Sequence, residues 1–321
     1  MSTAQLVPET WELTGDDAWK VLARTGRRRL LRDAFQRLRF SDGFSHARSL
    51  AFLVALTVIQ GVITVVGIAT AFGGSSISDM IVRSIQKAAP GPVAGLLTDA
   101  VTQAKGTGST HNYLGLIFGS IGCLISATTA MGQLERGLNR LYGVEKDRDA
   151  AHKYSFAFLL ALSAGLLITT AFALLAFGRT MAASIHNDLL ARSWDLFSWP
   201  LGIALMAAGL ALLFRWCPRR RQPGWSWLAF GSAVSLILWA IITIGLGLFL
   251  RNSASFGQTY GPLAGIVALM LWSLLTSISL FFGAAVAAQL EAVRANAAKP
   301  QDDEKVEHSE PDKVPAAAGN R

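Results

Sequence analysis

The polar residues best placed to act together lie in GQLERGLNRLYGVEKDRD, residues 132–149. Glu135 and Asn139 are four apart, as are Arg136 and Arg140, so on a helix they form two adjacent polar rows. Such rows either pair with each other as a turn at a helix end or present a site to an anionic headgroup; the first is the plainer reading, the second the sharper. Arg219, Arg220 and Arg221 form a further basic cluster. Tyr260, Gly261 and Pro262 suit a pivot at the start of a helix, because Gly is a hinge of low steric cost and the missing N–H of Pro is not needed in a first turn. Gln60 stands inside an apolar run. An interhelical hydrogen bond there is worth roughly 0.6–2 kcal/mol, and this reading is preferred to a contact with something moving past.

No catalytic, cofactor-binding or metal-binding residue is expected. His46, His111, His152, His186 and His308 read as loop or tail positions, and none has another His at metal-ligand spacing. Cys123 and Cys217 suggest neither a metal site nor a disulfide framework. A phosphate-binding Gly-rich loop with its Lys and a nucleophile elbow are both missing. The sequence therefore reads as a non-enzyme. Nor does an acidic residue fall inside the apolar runs, which weakens ion-coupled transport.

The elements that must position these residues are set by hydropathy. Residues 252–290 contain no Asp, Glu, Lys or Arg, and about 20 apolar residues suffice to cross a hydrocarbon layer of ~30 Å. Five further charge-free runs, 49–78, 106–134, 154–178, 196–214 and 222–250, are near or above this length. The expected fold is thus an all-α integral membrane protein with six spans in one bundle, at about 48–72, 113–131, 156–178, 199–214, 228–250 and 262–288. In lipid only helices or closed barrels satisfy their own backbone.

Charge orients the bundle. Of the 29 Lys and Arg, six lie in 73–111, 179–198 and 251–260; the rest lie in the alternate segments and both ends. Lys and Arg are concentrated in cytoplasmic loops, so both termini are expected to be cytoplasmic. Residues 1–47 read as a cytoplasmic segment with a basic amphipathic helix on the inner leaflet. Residues 48–291 form the six-span domain. Residues 292–321, rich in Pro and charge, read as a disordered cytoplasmic tail. In 73–111, apolar residues at helical spacing on either side of Pro90 predict two short amphipathic helices. The expected partners are the bilayer and its anionic headgroups. Self-association into a homo-oligomer stays open, and nucleic acid is not expected although basic charge is interleaved with Trp216, Trp225 and Trp227.

Three stretches resemble the YihY/BrkB envelope integrity family of bacterial inner-membrane proteins. They are SFGQTYGPLAGIVALMLWSLLTSISLFFGAAVAAQLEAVR (255–294), MGQLERGLNRLYGVEKDR (131–148) and ARSLAF (47–52). The resemblance covers roughly residues 20–294 and implies a six-helix inner-membrane fold with cytoplasmic ends. It also implies a link to serum resistance and to movement of lipopolysaccharide or lipid. A transfer-RNA ribonuclease label once attached to the family finds no support in these residues. The chain departs from the family pattern at Ala285, where many members have an acid, and at Gln60 beside Gly61, where they have Pro. The expected function is a transporter or flippase-like mover of lipids or amphiphiles. The alternative is a non-transporting scaffold for envelope machinery.

Overall fold

The computed structural model describes residues 12–88, 112–144, 146–183, 187–253 and 263–296, with single positions at 95, 98, 99, 256, 259 and 260. These residues fold as α1 (Gly15–Thr25), α2 (Arg27–Phe40), α3 (Gly43–Ala88), α4 (Asn112–Leu141), α5 (Ala150–Ala183), α6 (Asp188–Trp216), α7 (Trp225–Asn252) and α8 (Ala264–Arg294). No strand occurs among them. Each of α3 to α8 contains a stretch long and apolar enough to cross a membrane, so the chain is an all-α, multi-pass membrane protein.

Local chemistry sets the helix ends. The Thr14 amide and hydroxyl donate to Asp17 Oδ2 at 3.2 and 3.0 Å and start α1. Gly26, at φ 81°, takes the left-handed backbone that separates α1 from α2. Asn187 Oδ1 accepts from the Leu189 and Leu190 amides and starts α6. That helix begins well before the apolar run at 196, because backbone hydrogen bonding continues past Arg192 and Asp195 whatever their hydropathy.

The sequence placed a short separate helix after the first span. Instead α3 runs unbroken for 46 residues to Ala88, about 69 Å at 1.5 Å per residue. Its Gly-Gly-Ser-Ser stretch lowers hydropathy without ending the helix. The second amphipathic segment predicted there, from 93 onward, falls almost wholly outside the described residues, as do the N-terminal 11 residues and the tail from 297.

The six long helices close into a ring. Each of α3 to α7 packs on the next, and α8 packs back on α3. Lipid supplies no hydrophobic drive between helices, so close approach depends on small residues. At the α7–α8 crossing a Cβ on Gly231 would meet the Gly283 carbonyl oxygen at 2.7 Å. In α4, a Cβ on Gly122 would meet Gln60 Nε2 of α3 at 2.8 Å. Between α5 and α6, Trp194 Nε1 donates to the Gly178 carbonyl at 3.0 Å.

The short helices α1 and α2 dock on one end of the ring, against α7 and α8. Buried Leu30, Ala34 and Leu38 face the bundle, while Trp19, Leu31 and Phe35 stay exposed. The amphipathic segment is therefore bound to the bundle by one apolar face and leaves a second free. The turns 142–149 and 217–224 reach the same end, since α4, α5, α6 and α7 meet there.

Gly231→Val should destabilise the protein in detergent by about 1–3 kcal/mol through overpacking. Gly245→Val, where an added Cβ meets nothing within 4 Å, serves as the control and should change little. Thermal unfolding of the two purified variants checks this; equal effects would disprove a tight crossing at Gly231.

Candidate functional site

The end of the ring that carries α1 and α2 is tied by a buried ionic network. Arg220, on the turn between α6 and α7, donates to Glu291 Oε2 of α8 at 2.8 Å. Their side chains are 5% and 1% exposed. Arg37 of α2 donates to Gln289 Oε1, two residues earlier in α8, at 2.8 Å. The Arg220 guanidinium also lies 4.9 Å from the centre of the Tyr142 ring. Burial lowers the pKa of Arg37, opposed by the Glu291 carboxylate, and burial raises that of Tyr142, which therefore stays neutral.

The second half of the network contains the residues singled out by spacing. Glu135 is buried and pairs with Arg148 at 3.1 Å. Asn139 is buried and bridges two turns: its Nδ2 donates to Asp147 Oδ1 at 3.0 Å, and its Oδ1 accepts from the Arg219 amide at 2.8 Å. Arg148 donates to the Cys217 carbonyl at 2.9 Å and so fastens the α4–α5 turn to the α6–α7 turn. Arg136 and Arg140 are exposed, and Arg136 reaches Asp147 at 3.3 Å. The two rows thus separate by function: Glu135 and Asn139 hold the turns together, and Arg136 and Arg140 face outward.

Asp147 is the hub of the exposed side. Burial raises its pKa, but hydrogen bonds from Lys153 and Asn139, the Lys153 charge and Arg136 outweigh this and hold it at about 2. Cys217 is buried and its pKa is pushed up, so it stays a thiol. Two histidines expected in loops lie in helices: His46 in α3, 3.3 Å from Gln133, and His152 in α5.

The middle of the ring holds an apolar cavity of about 520 Å³. Every long helix contributes to its wall, with Val54, Cys123, Ile168, Leu210, Trp239 and Trp272 as one example from each. No charged side chain among the described residues lines it. Gln60 is not in this wall; it accepts from Ser126 Oγ at 2.7 Å across the α3–α4 contact. Tyr260 is exposed and its ring lies 4.8 Å from that of Phe256. Gly261 and Pro262 lie outside the described residues.

Spacing alone missed Arg37, Gln289 and Glu291. A signal was present, since Glu291 is the first charge after 39 residues without one. No group of three His, Cys, Asp or Glu able to hold a metal occurs among the described residues.

The pattern of the family described as virulence factor BrkB matches residues 34–308. The chain belongs to that family. Among its relatives, the ribonuclease-like protein YfkH of Bacillus subtilis (strain 168) is 25% identical over 81% of this chain and 94% of its own length. A UPF0761 membrane protein of Alteromonas mediterranea is 25% identical over 84% of this chain and 87% of its own. That of Verminephrobacter eiseniae is 26% identical over 88% of this chain, which spans 64% of the relative. No solved structure matches the chain. The BrkB membership confirms the resemblance. The name of the Bacillus relative corrects the reading of the sequence as a non-enzyme. That reading rested on missing local motifs, whereas folding can assemble polar groups from separate segments, as it does with Arg220 of the α6–α7 turn and Glu291 of α8.

Breaking a buried ion pair leaves one charge alone in a poor solvent, at a cost of about 3–5 kcal/mol. Glu291→Ala should therefore destabilise the protein by that amount, and exposed Arg136→Ala by less than about 1 kcal/mol. Denaturant unfolding in detergent distinguishes the two; equal losses would refute the special standing of the Glu291 pair.

The pH response of Asp147 has a definite sign. Its folded pKa, about 2, lies below the ordinary 3.8, so its stabilisation is present above pH ~4 and lost as pH falls through about 2. Unfolding temperatures of wild type and Asp147→Asn should converge over that window. A gap that stays constant would show that Asp147 does not act through its charge.

Proposed function

We propose that this membrane protein moves a lipid or other amphiphile between leaflets, and that the apolar cavity is where its apolar part resides. The observation that carries the reading is a cavity of about 520 Å³ walled by all six long helices. That volume falls within the roughly 300–1,000 Å³ of small-molecule sites, and an apolar cavity excludes water and takes apolar ligands. The polar end supplies the other half of an amphiphile's needs, because Arg136 and Arg140 are exposed beside it and attract anionic headgroups. Tyr260, Gly261 and Pro262 are proposed as the pivot at the start of α8.

On this reading the end that carries α1, α2 and the basic turns faces the cytoplasm of a bacterial inner membrane, in keeping with its Lys and Arg. Both termini are then cytoplasmic, and the protein serves envelope integrity. The second reading, a non-transporting scaffold, draws on the exposed Trp19, Leu31 and Phe35 of the docked helices, a face suited to a partner or a second copy.

Gly165 lines the cavity, and an added Cβ there meets nothing within 4 Å. Gly165→Phe should fill the cavity without disturbing the fold and reduce leaflet transfer of fluorescent lipid in proteoliposomes at least tenfold. Absence of transfer by the wild type with any headgroup would sink the proposal.

A further inference from the structure

The turn between α6 and α7 encloses a depression of about 450 Å³ lined by Arg148, Arg215, Arg219, Arg220, Arg221 and Gln222. Five guanidiniums share this space; Arg148 pairs with Glu135 and Arg220 with Glu291. Arg215 donates to the Pro223 carbonyl at 3.1 Å and lies 5.1 Å from the centre of the Trp225 ring. Arg219 donates to the Asp147 carbonyl at 2.7 Å and the Lys146 carbonyl at 3.3 Å. These neutral partners fix the direction of a guanidinium without cancelling its charge. The side chain of Asp147 is taken by Lys153, Asn139 and Arg136. Among the described residues no carboxylate pairs with Arg215 or Arg219, so their positive charge is uncancelled.

The depression also holds unmet polar atoms. Gln222 is 4% exposed, and neither its Oε1 nor its Nε2 has a hydrogen-bond partner. Arg220 Nε is likewise buried without an acceptor. Buried donors left unmet are costly, so this concavity is built for a further acceptor. Trp216 and Trp225 flank it, each about half exposed, and Trp at a span edge marks the depth of the headgroups.

We infer that the depression binds a phosphate group. Guanidinium forks match phosphate oxygens bidentately, the Gln222 amide adds a neutral donor, and the uncancelled charge selects an anion. The group is carried by an anionic phospholipid or is free inorganic phosphate; only the lipid source rests on the lipid-moving reading above.

The test is native mass spectrometry of the full-length protein in detergent with phosphatidylglycerol or phosphatidylcholine, beside calorimetric titration with inorganic phosphate. The wild type should retain phosphatidylglycerol at least fivefold over phosphatidylcholine, or bind phosphate. The double variant Arg221→Ala with Gln222→Leu should lose that binding at least tenfold. Arg192→Ala, an exposed position near the start of α6 and outside the depression, should behave as wild type. Selective lipid retention identifies the headgroup as the source, and phosphate binding without lipid preference identifies the free anion. Binding of neither, or binding that the double variant leaves unchanged, overturns the site. If the double variant does not fold, Arg221→Glu at its exposed position takes its place with the same expected loss. Transfer measured on the same preparations separates the two proposals. Intact transfer without phosphate binding overturns the site alone, and phosphate binding without transfer overturns only the lipid-moving reading.

Discussion

The ion pair of Arg220 and Glu291 is the interaction on which the closed end of this bundle depends. A carboxylate 1% exposed is tolerated only with a partner at hydrogen-bonding distance. Arg220 meets that need at 2.8 Å, and in doing so fastens the α6–α7 turn to the last helix. Arg37 uses the neighbouring Gln289 in the same manner and brings α2 onto α8. Because α8 also packs against both α7 and α3, this knot lies where the ring closes. A hydrophobic contact could not hold the same register so specifically, since in lipid it has little advantage over contact with an acyl chain.

The rest of the ring is held by different means. Between the long helices, small residues let backbones approach, and a few buried hydrogen bonds fix the register, such as Ser235 Oγ donating to the Ser279 carbonyl at 3.1 Å. The wall that results is tight at the crossings and hollow in the middle. Large side chains such as Trp239 and Trp272 border the cavity without filling it. An apolar hollow among the long helices and a basic, polar end are the two features on which the proposal of an amphiphile mover rests.

How far the sequence reached differs from residue to residue. Charge-free runs and the alternation of Lys and Arg marked six long helices, because insertion into hydrocarbon is decided residue by residue. The four-residue spacing of Glu135 and Asn139 showed that they share a face, but not that the face is buried. Their partners, Arg148 and Arg219, stand on other turns. Gln60 was marked as polar among apolar neighbours, and its partner Ser126 is 66 positions away. In each case the local signal named the residue, and the fold chose its partner.

By itself, then, the sequence determined the fold class, the number of spans and the segregation of positive charge, all of which follow from composition along a single chain. Tertiary structure alone decided that the six helices close into a ring, that a cavity is left at its centre, and that Arg37, Arg220, Gln289 and Glu291 meet. Those outcomes depend on which helix faces which, and the pairing joins residues as much as 252 positions apart. Hydropathy carries no such information, because every apolar face is equally at home in lipid.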